Sequence, residues 1–184
     1  MGRQTAAKNG FSSPDTLPKN ANAKNSTPNF VVSQSSASNA TNTNPNQSFI
    51  SELKSEFPDF SFQFGSRFKF KPPKTIFIGP PQPNFALLAL HELGHALSGH
   101  KNYNTHIKRL KMESEAWQVA KTLIQNHPKW QKEYGIHWDE SAEEFAESEL
   151  DSYRDWLHSK SLCKNCGLTM YQTEDGKYYC PACD

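Results

Sequence analysis

Long apolar runs are missing from this chain of 184 residues. The longest, Phe85 to Leu90, falls far short of the ~20 residues a membrane-crossing helix needs. An excess of one charge is missing too. The formal net charge is +1, so no global field draws the chain toward nucleic acid or an anionic membrane surface. Cysteine is absent before residue 163, which excludes a disulfide framework for most of the chain. No signal-peptide core is present, because Phe30-Val31-Val32 is too short. These absences predict an intracellular, cytoplasmic protein with no membrane partner. Apolar residues amount to only 35%. The deficit lies mainly in residues 1–48, where Asn, Ser, Thr, Ala and Pro dominate without periodicity. Such a segment buries too little apolar surface to offset its ordering entropy, so it is expected to be a disordered arm.

Against this background one short string stands out. Residues 91–95 read His-Glu-Leu-Gly-His. On a helix, His91 and His95 are one turn apart and project from one face, where two imidazoles hold one zinc ion. Glu92 is placed to exchange protons with a water on that ion. The preceding Phe85, Leu87, Leu88 and Leu90 make the helix apolar, and Asn84 after three prolines is its expected N-cap. Gly94 permits close approach of a neighbouring backbone. Polar groups on so apolar a helix need partners, and a metal is one.

The cysteines form a second pattern. Cys163-Lys-Asn-Cys166 and Cys180-Pro-Ala-Cys183 flank residues 167–179. Two C-x-x-C knuckles suit a tetrahedral, closed, structural zinc. Leu168 to Thr173 and Lys177 to Tyr179 read as short strands around the turn signal Asp175-Gly176. A segment this small has little core, so metal binding is expected to supply its folding energy.

Between arm and ribbon the pattern is mixed. Phe49 to Phe57 has helical spacing, and Pro58 ends it. Period-two alternation at Phe60, Phe62, Phe64, Phe68 and Phe70, then Thr75 to Ile78, predicts two or three strands. Basic residues interleave with these aromatics, but a sheet with one solvated face explains that alternation. A polar linker is expected over 100–109, a helix over about 111–126 stopped by His127-Pro128, a loop through Trp130, Tyr134, His137 and Trp138, and a last helix over about 139–159 capped by Asp139. The fold class is therefore α+β. It comprises the disordered arm 1–48, a minimal zincin-like domain at 49–160 with a small antiparallel-rich sheet, and a four-Cys ribbon at 161–184.

A catalytic zinc usually takes three protein ligands and keeps one open position. His100, His106, Glu113 and Glu115 are the downstream candidates. His100 is too close to His95 unless the helix breaks at Gly99. Glu113 falls within the apolar arc of the following helix and Glu115 at its edge, and periodicity leaves the choice open.

His91-Glu-Leu-Gly-His95-Ala-Leu-Ser-Gly-His100, followed by Glu113-Ser-Glu115-Ala116, resembles the ImmA/IrrE family of zinc metallopeptidases, and more broadly the gluzincins. The likeness covers about residues 60–125. It implies Glu115, followed by Ala116, as third ligand, with Glu113 as the alternative. It also implies Glu92 as catalytic general base, and a regulatory protein as substrate. The ribbon is similar to the one appended in SprT-like proteases, whose third ligand is His. The expected cofactors are thus two zinc ions, one catalytic and one structural. Tyr103, His106 and His137 are the candidates for stabilising an oxyanion. The expected partners are a protein or peptide substrate, and a protein or nucleic acid recruited by the ribbon. The contrasting reading is a non-catalytic zinc-ribbon binding module on a zincin-like scaffold.

Overall fold

The computed structural model describes residues 44–183. Most of the expected disordered arm, residues 1–43, lies outside them. The first described element is helix α1, Pro45–Glu56, which begins before the expected boundary at residue 48. Its start is built locally. The Asn44 side chain accepts a hydrogen bond from the Asn46 N–H, and Pro45 occupies the first helical position, where its missing N–H costs nothing. Phe49, Ile50 and Leu53 lie on one face and are buried.

Three short strands follow: β1, Ser61–Phe64; β2, Lys69–Lys71; β3, Thr75–Ile78. β3 is central, with β1 beside it in parallel and β2 in antiparallel register. The sheet is therefore mixed, a correction to the antiparallel-rich expectation. The physical reason lies in β3, whose Ile76 and Ile78 are fully buried and which thus takes the middle position. Phe62 is buried, whereas Phe64 at the end of β1 is 61% exposed and has left the common face that alternation assigned it.

Helix α2, Phe85–Leu97, carries the His-Glu-Leu-Gly-His string. Asn84 holds the cap position, but in a left-handed conformation (φ 59°) and without a side-chain cap bond. Helix α3, His106–Asn126, starts five residues earlier than expected, because Thr105 accepts from the Lys108 N–H as an N-cap. The expected loop after Pro128 instead holds helix α4, Pro128–Tyr134, which buries Trp130 completely. Helix α5, Glu140–Ser161, is capped by the Asp139 carboxylate on the Ala142 N–H, as its sequence predicts. Strands β4, Tyr171–Gln172, and β5, Tyr178–Tyr179, form the C-terminal hairpin, joined through Gly176 at φ 85°. Among the described residues no helix is long and apolar enough to cross a membrane.

The core is continuous from α1 through the sheet to α2, α3 and α5. Its tightest point is the crossing of α2 and α3. A Cβ at Gly94 would lie 2.4 Å from the Ala116 carbonyl oxygen. Only a hydrogen fits there, so Gly94 sets how closely the two helices approach. Gly94→Ala is expected to destabilise the protein by about 1–3 kcal/mol through this overpacking. Thermal unfolding checks it; an unchanged midpoint would show that the crossing has slack.

Candidate metal centre

The α2–α3 crossing determines the site. His91 and His95 flank Gly94 on α2, and Glu113 lies one turn before Ala116 on α3. His91 Nε2 and His95 Nε2 are 3.2 Å apart, and each is 3.2 Å from Glu113 Oε2. Three lone-pair atoms thus form an equilateral triangle. A tetrahedral ion ~2.0–2.1 Å from each ligand atom sets those atoms about 3.3–3.4 Å apart. The triangle matches that requirement closely. The donor set, two imidazoles and a carboxylate, is one that zinc takes when it keeps an open position.

Glu113, not Glu115, joins the two histidines. This reverses the preference that resemblance gave to Glu115. The reason is helical geometry: residues two apart are rotated by about 200°, so the two carboxylates leave α3 on nearly opposite sides. Glu113 shares its side with Ala116, Trp117 and Ala120, which are buried against the core. Glu115 reaches His100 Nε2 at 3.0 Å instead.

The surroundings hold the three groups in place. Trp117 lies against the His91 ring at 4.2 Å between centroids, and Phe70 lies parallel to the His95 ring at 6.5 Å. Burial opposes ionisation of Glu113. The adjacent imidazoles of His91 and His95 outweigh it and hold this carboxyl well below the usual carboxylate range. Arg109 Nε lies 3.5 Å from the other oxygen, Glu113 Oε1.

Glu92 projects beside the triangle. Its carboxylate accepts a hydrogen bond of 2.5 Å from the Phe70 N–H of β2. Desolvation by the surrounding protein raises its pKa, an effect that His91 and His95 partly oppose and Glu113 reinforces. Of the three oxyanion candidates, only Tyr103 is linked to the site. Its hydroxyl accepts from Arg109 NH1 at 3.0 Å, and Arg109 contacts Glu113. His106 faces the hairpin and His137 is exposed in the α4–α5 loop. The Arg109–Tyr103 pair escaped the sequence reading on its arginine side, although Arg109 precedes Glu113 by one turn, a spacing that brings side chains together.

The four cysteines also converge. All are free thiols, with Cys163 Sγ 3.9 Å from Cys183 Sγ and Cys166 Sγ 3.5 Å from Cys180 Sγ. Tetrahedral zinc with bonds of ~2.3 Å spaces its sulfurs about 3.8 Å apart, so this group also fits the ion. The backbone N–H groups of Cys166 and Asn165 stabilise the Cys163 thiolate and lower its pKa to about 7.

The hairpin between the knuckles docks onto the start of α3. Gln172 Oε1 accepts from the His106 N–H at 2.8 Å, which caps an orphan donor of the helix. The Tyr178 hydroxyl meets His106 Nδ1 at 2.7 Å, and Asn104 Nδ2 donates to the Glu174 carbonyl at 2.7 Å. The His106 ring also meets Trp156 of α5 edge-on at 4.9 Å. The C-terminal hairpin is thereby tied to the helix that presents Glu113.

Comparison of the chain with protein-family models, with curated proteins and with solved structures finds no match in any of the three. What the site does is set by its own chemistry.

The two clusters predict two zinc ions per chain in wild type. Glu113→Ala and His95→Ala are each expected to leave only the ribbon's ion, and Cys166→Ser only the other. Zinc analysis after gel filtration counts the ions. One ion in wild type, or two in Glu113→Ala, would contradict the assignment.

Proposed function

We propose that this chain is a zinc-dependent metallopeptidase acting on a protein or peptide substrate, similar in kind to the ImmA/IrrE metallopeptidases. The observation that carries the reading is the equal-sided triangle of His91, His95 and Glu113 with Glu92 beside it. A zinc ion, when bound there, would supply Lewis-acid polarisation of a carbonyl and acidification of a water. His91, His95 and Glu113 are the residues that would hold it. Glu92 takes the proton of the attacking water and returns it to the leaving amine. Its raised pKa suits a group that must both accept and release a proton. Arg109 and Tyr103 place a positive charge and a hydroxyl beside Glu113 and are the candidates for stabilising developing negative charge.

The edge strand supports a peptide as substrate. Among the described strands β2 pairs with β3, and away from β3 the Phe70 N–H points at Glu92. An extended peptide lying beside β2 near Phe70 would bring its carbonyls past Glu92 and the candidate metal ligands. The ribbon acts first as a brace for α3, since its hairpin caps and packs on that helix. A regulatory protein as substrate accords with the resemblance.

Glu92→Gln keeps the size and polarity of the side chain and removes its basicity. It is expected to retain both zinc ions and to lower hydrolysis of a peptide library at least 100-fold, the usual scale of a lost general base. Mass spectrometry of cleaved peptides measures the loss. A Glu92→Gln chain with wild-type cleavage would remove the general-base mechanism. A wild-type chain that binds two zinc ions and cleaves nothing would favour the scaffold reading.

A further inference from the structure

His100 and Glu115 touch the metal centre from behind and belong to neither set of ligands. His100 owes its position to the end of α2. The Ser98 N–H donates to the Gly94 carbonyl, the Gly99 N–H to Ala96, and the His100 N–H back to the His95 carbonyl. Gly99, at φ 64°, turns the chain under the helix. This left-handed close returns His100 to the ring of His95, five residues earlier. The His100 side chain is only 8% exposed. Its Nδ1 lies 2.7 Å from His95 Nδ1, and its Nε2 lies 3.0 Å from Glu115 Oε2. Beyond Glu115 the chain of contacts ends at solvent, with Lys111 Nζ 3.8 Å from Oε1.

Resting on the metallopeptidase reading, we propose that His100 and Glu115 are positioning residues that fix the tautomer and orientation of His95, so that its Nε2 lone pair faces the metal. A neutral imidazole carries one N–H and one acceptor nitrogen. A contact between two Nδ1 atoms therefore needs one donor and one acceptor. Ionised Glu115 only accepts, so His100 donates to it from Nε2. His100 Nδ1 is then the acceptor, and His95 must carry its hydrogen on Nδ1. That leaves His95 Nε2 bare, which is the atom in the triangle. The opposite direction sets a lone pair of His100 against the carboxylate and a hydrogen of His95 into the metal site. The order of hydrogens thus runs one way from Glu115 to the ligand.

His91 has no such device. Its Nδ1 is buried without a hydrogen-bond partner among the described residues, and Trp117 holds its ring by packing. The two histidine ligands are therefore fixed by different means, and loss of the relay falls on His95. Glu115 keeps a role in metal binding, though one removed from the ion.

The test uses the full chain loaded with zinc, and two readouts. Nitrogen–hydrogen correlation NMR of the imidazoles reports tautomers, and chelator competition reports affinity at each site. The expected spectrum has His95 protonated at Nδ1 and His100 at Nε2. Outer partners of ligating histidines contribute ~10–100-fold to metal affinity, so His100→Leu is expected to lose that much at the histidine site alone. His100→Asn puts an amide oxygen near the place of Nδ1 and is expected to recover most of the loss. Glu115→Gln, which still accepts, is expected to bind more tightly than Glu115→Ala. A wild-type spectrum with His100 protonated at Nδ1 overturns the relay, whether or not the leucine variant folds. So does wild-type affinity in His100→Leu. A wild-type chain that takes up only the ribbon's ion instead overturns the metal reading on which the relay rests.

Discussion

Everything at this site depends on the contact between two helices at Gly94 and Ala116. A side chain at Gly94 would collide with the Ala116 carbonyl, so the approach is set by backbone against backbone. That closeness brings residues one turn along each helix to within reach of a common centre. His91 and His95 come from one helix and Glu113 from the other. The ligand triangle is therefore a product of tertiary packing, and neither helix holds it alone. The buried arc of Ala116, Trp117, Ala120 and Ile124 on α3 supplies the apolar burial that maintains the crossing.

Two carboxylates face this centre, and their environments push them apart. Glu113 is pinned by two imidazoles and stays ionised, as a ligand must. Glu92 is desolvated and its proton is held more tightly, as suits a group that exchanges protons. Two residues with the same chemistry thus acquire opposite pKa shifts through partners and solvation. The ribbon enters at the other end of α3. It caps the His106 N–H and packs against Trp156 through His106. The helix that presents Glu113 is consequently held at its start by one cluster of potential ligands and in its body by contact with the other.

Much of this arrangement was legible in the sequence. The spacing of His91 and His95, the role of Gly94, the paired cysteine knuckles and the Asp139 cap are local signals, and the structure places each as expected. The third ligand depends on which side of α3 faces α2. The apolar arc already contained Glu113, but the likeness of Glu115-Ala116 to a gluzincin pattern drew the assignment two residues away. An unbroken helix would carry His100 away from the site; the left-handed residue Gly99 brings it back to His95. The parallel pairing of β1 with β3 was hidden because alternation reveals a strand and its face, not its neighbour. After His127, Pro128 reads as a stop to α3, whereas in the structure it also opens helix α4.

The central claim is that the chain holds zinc in two chemically different shells. Zinc-edge X-ray absorption of the fully loaded protein tests it most directly. The account predicts an averaged first shell in which sulfur at ~2.3 Å and nitrogen or oxygen at ~2.0–2.1 Å contribute in comparable numbers, with the outer-shell scattering of imidazole rings. A first shell of sulfur alone, without imidazole scattering, would contradict it.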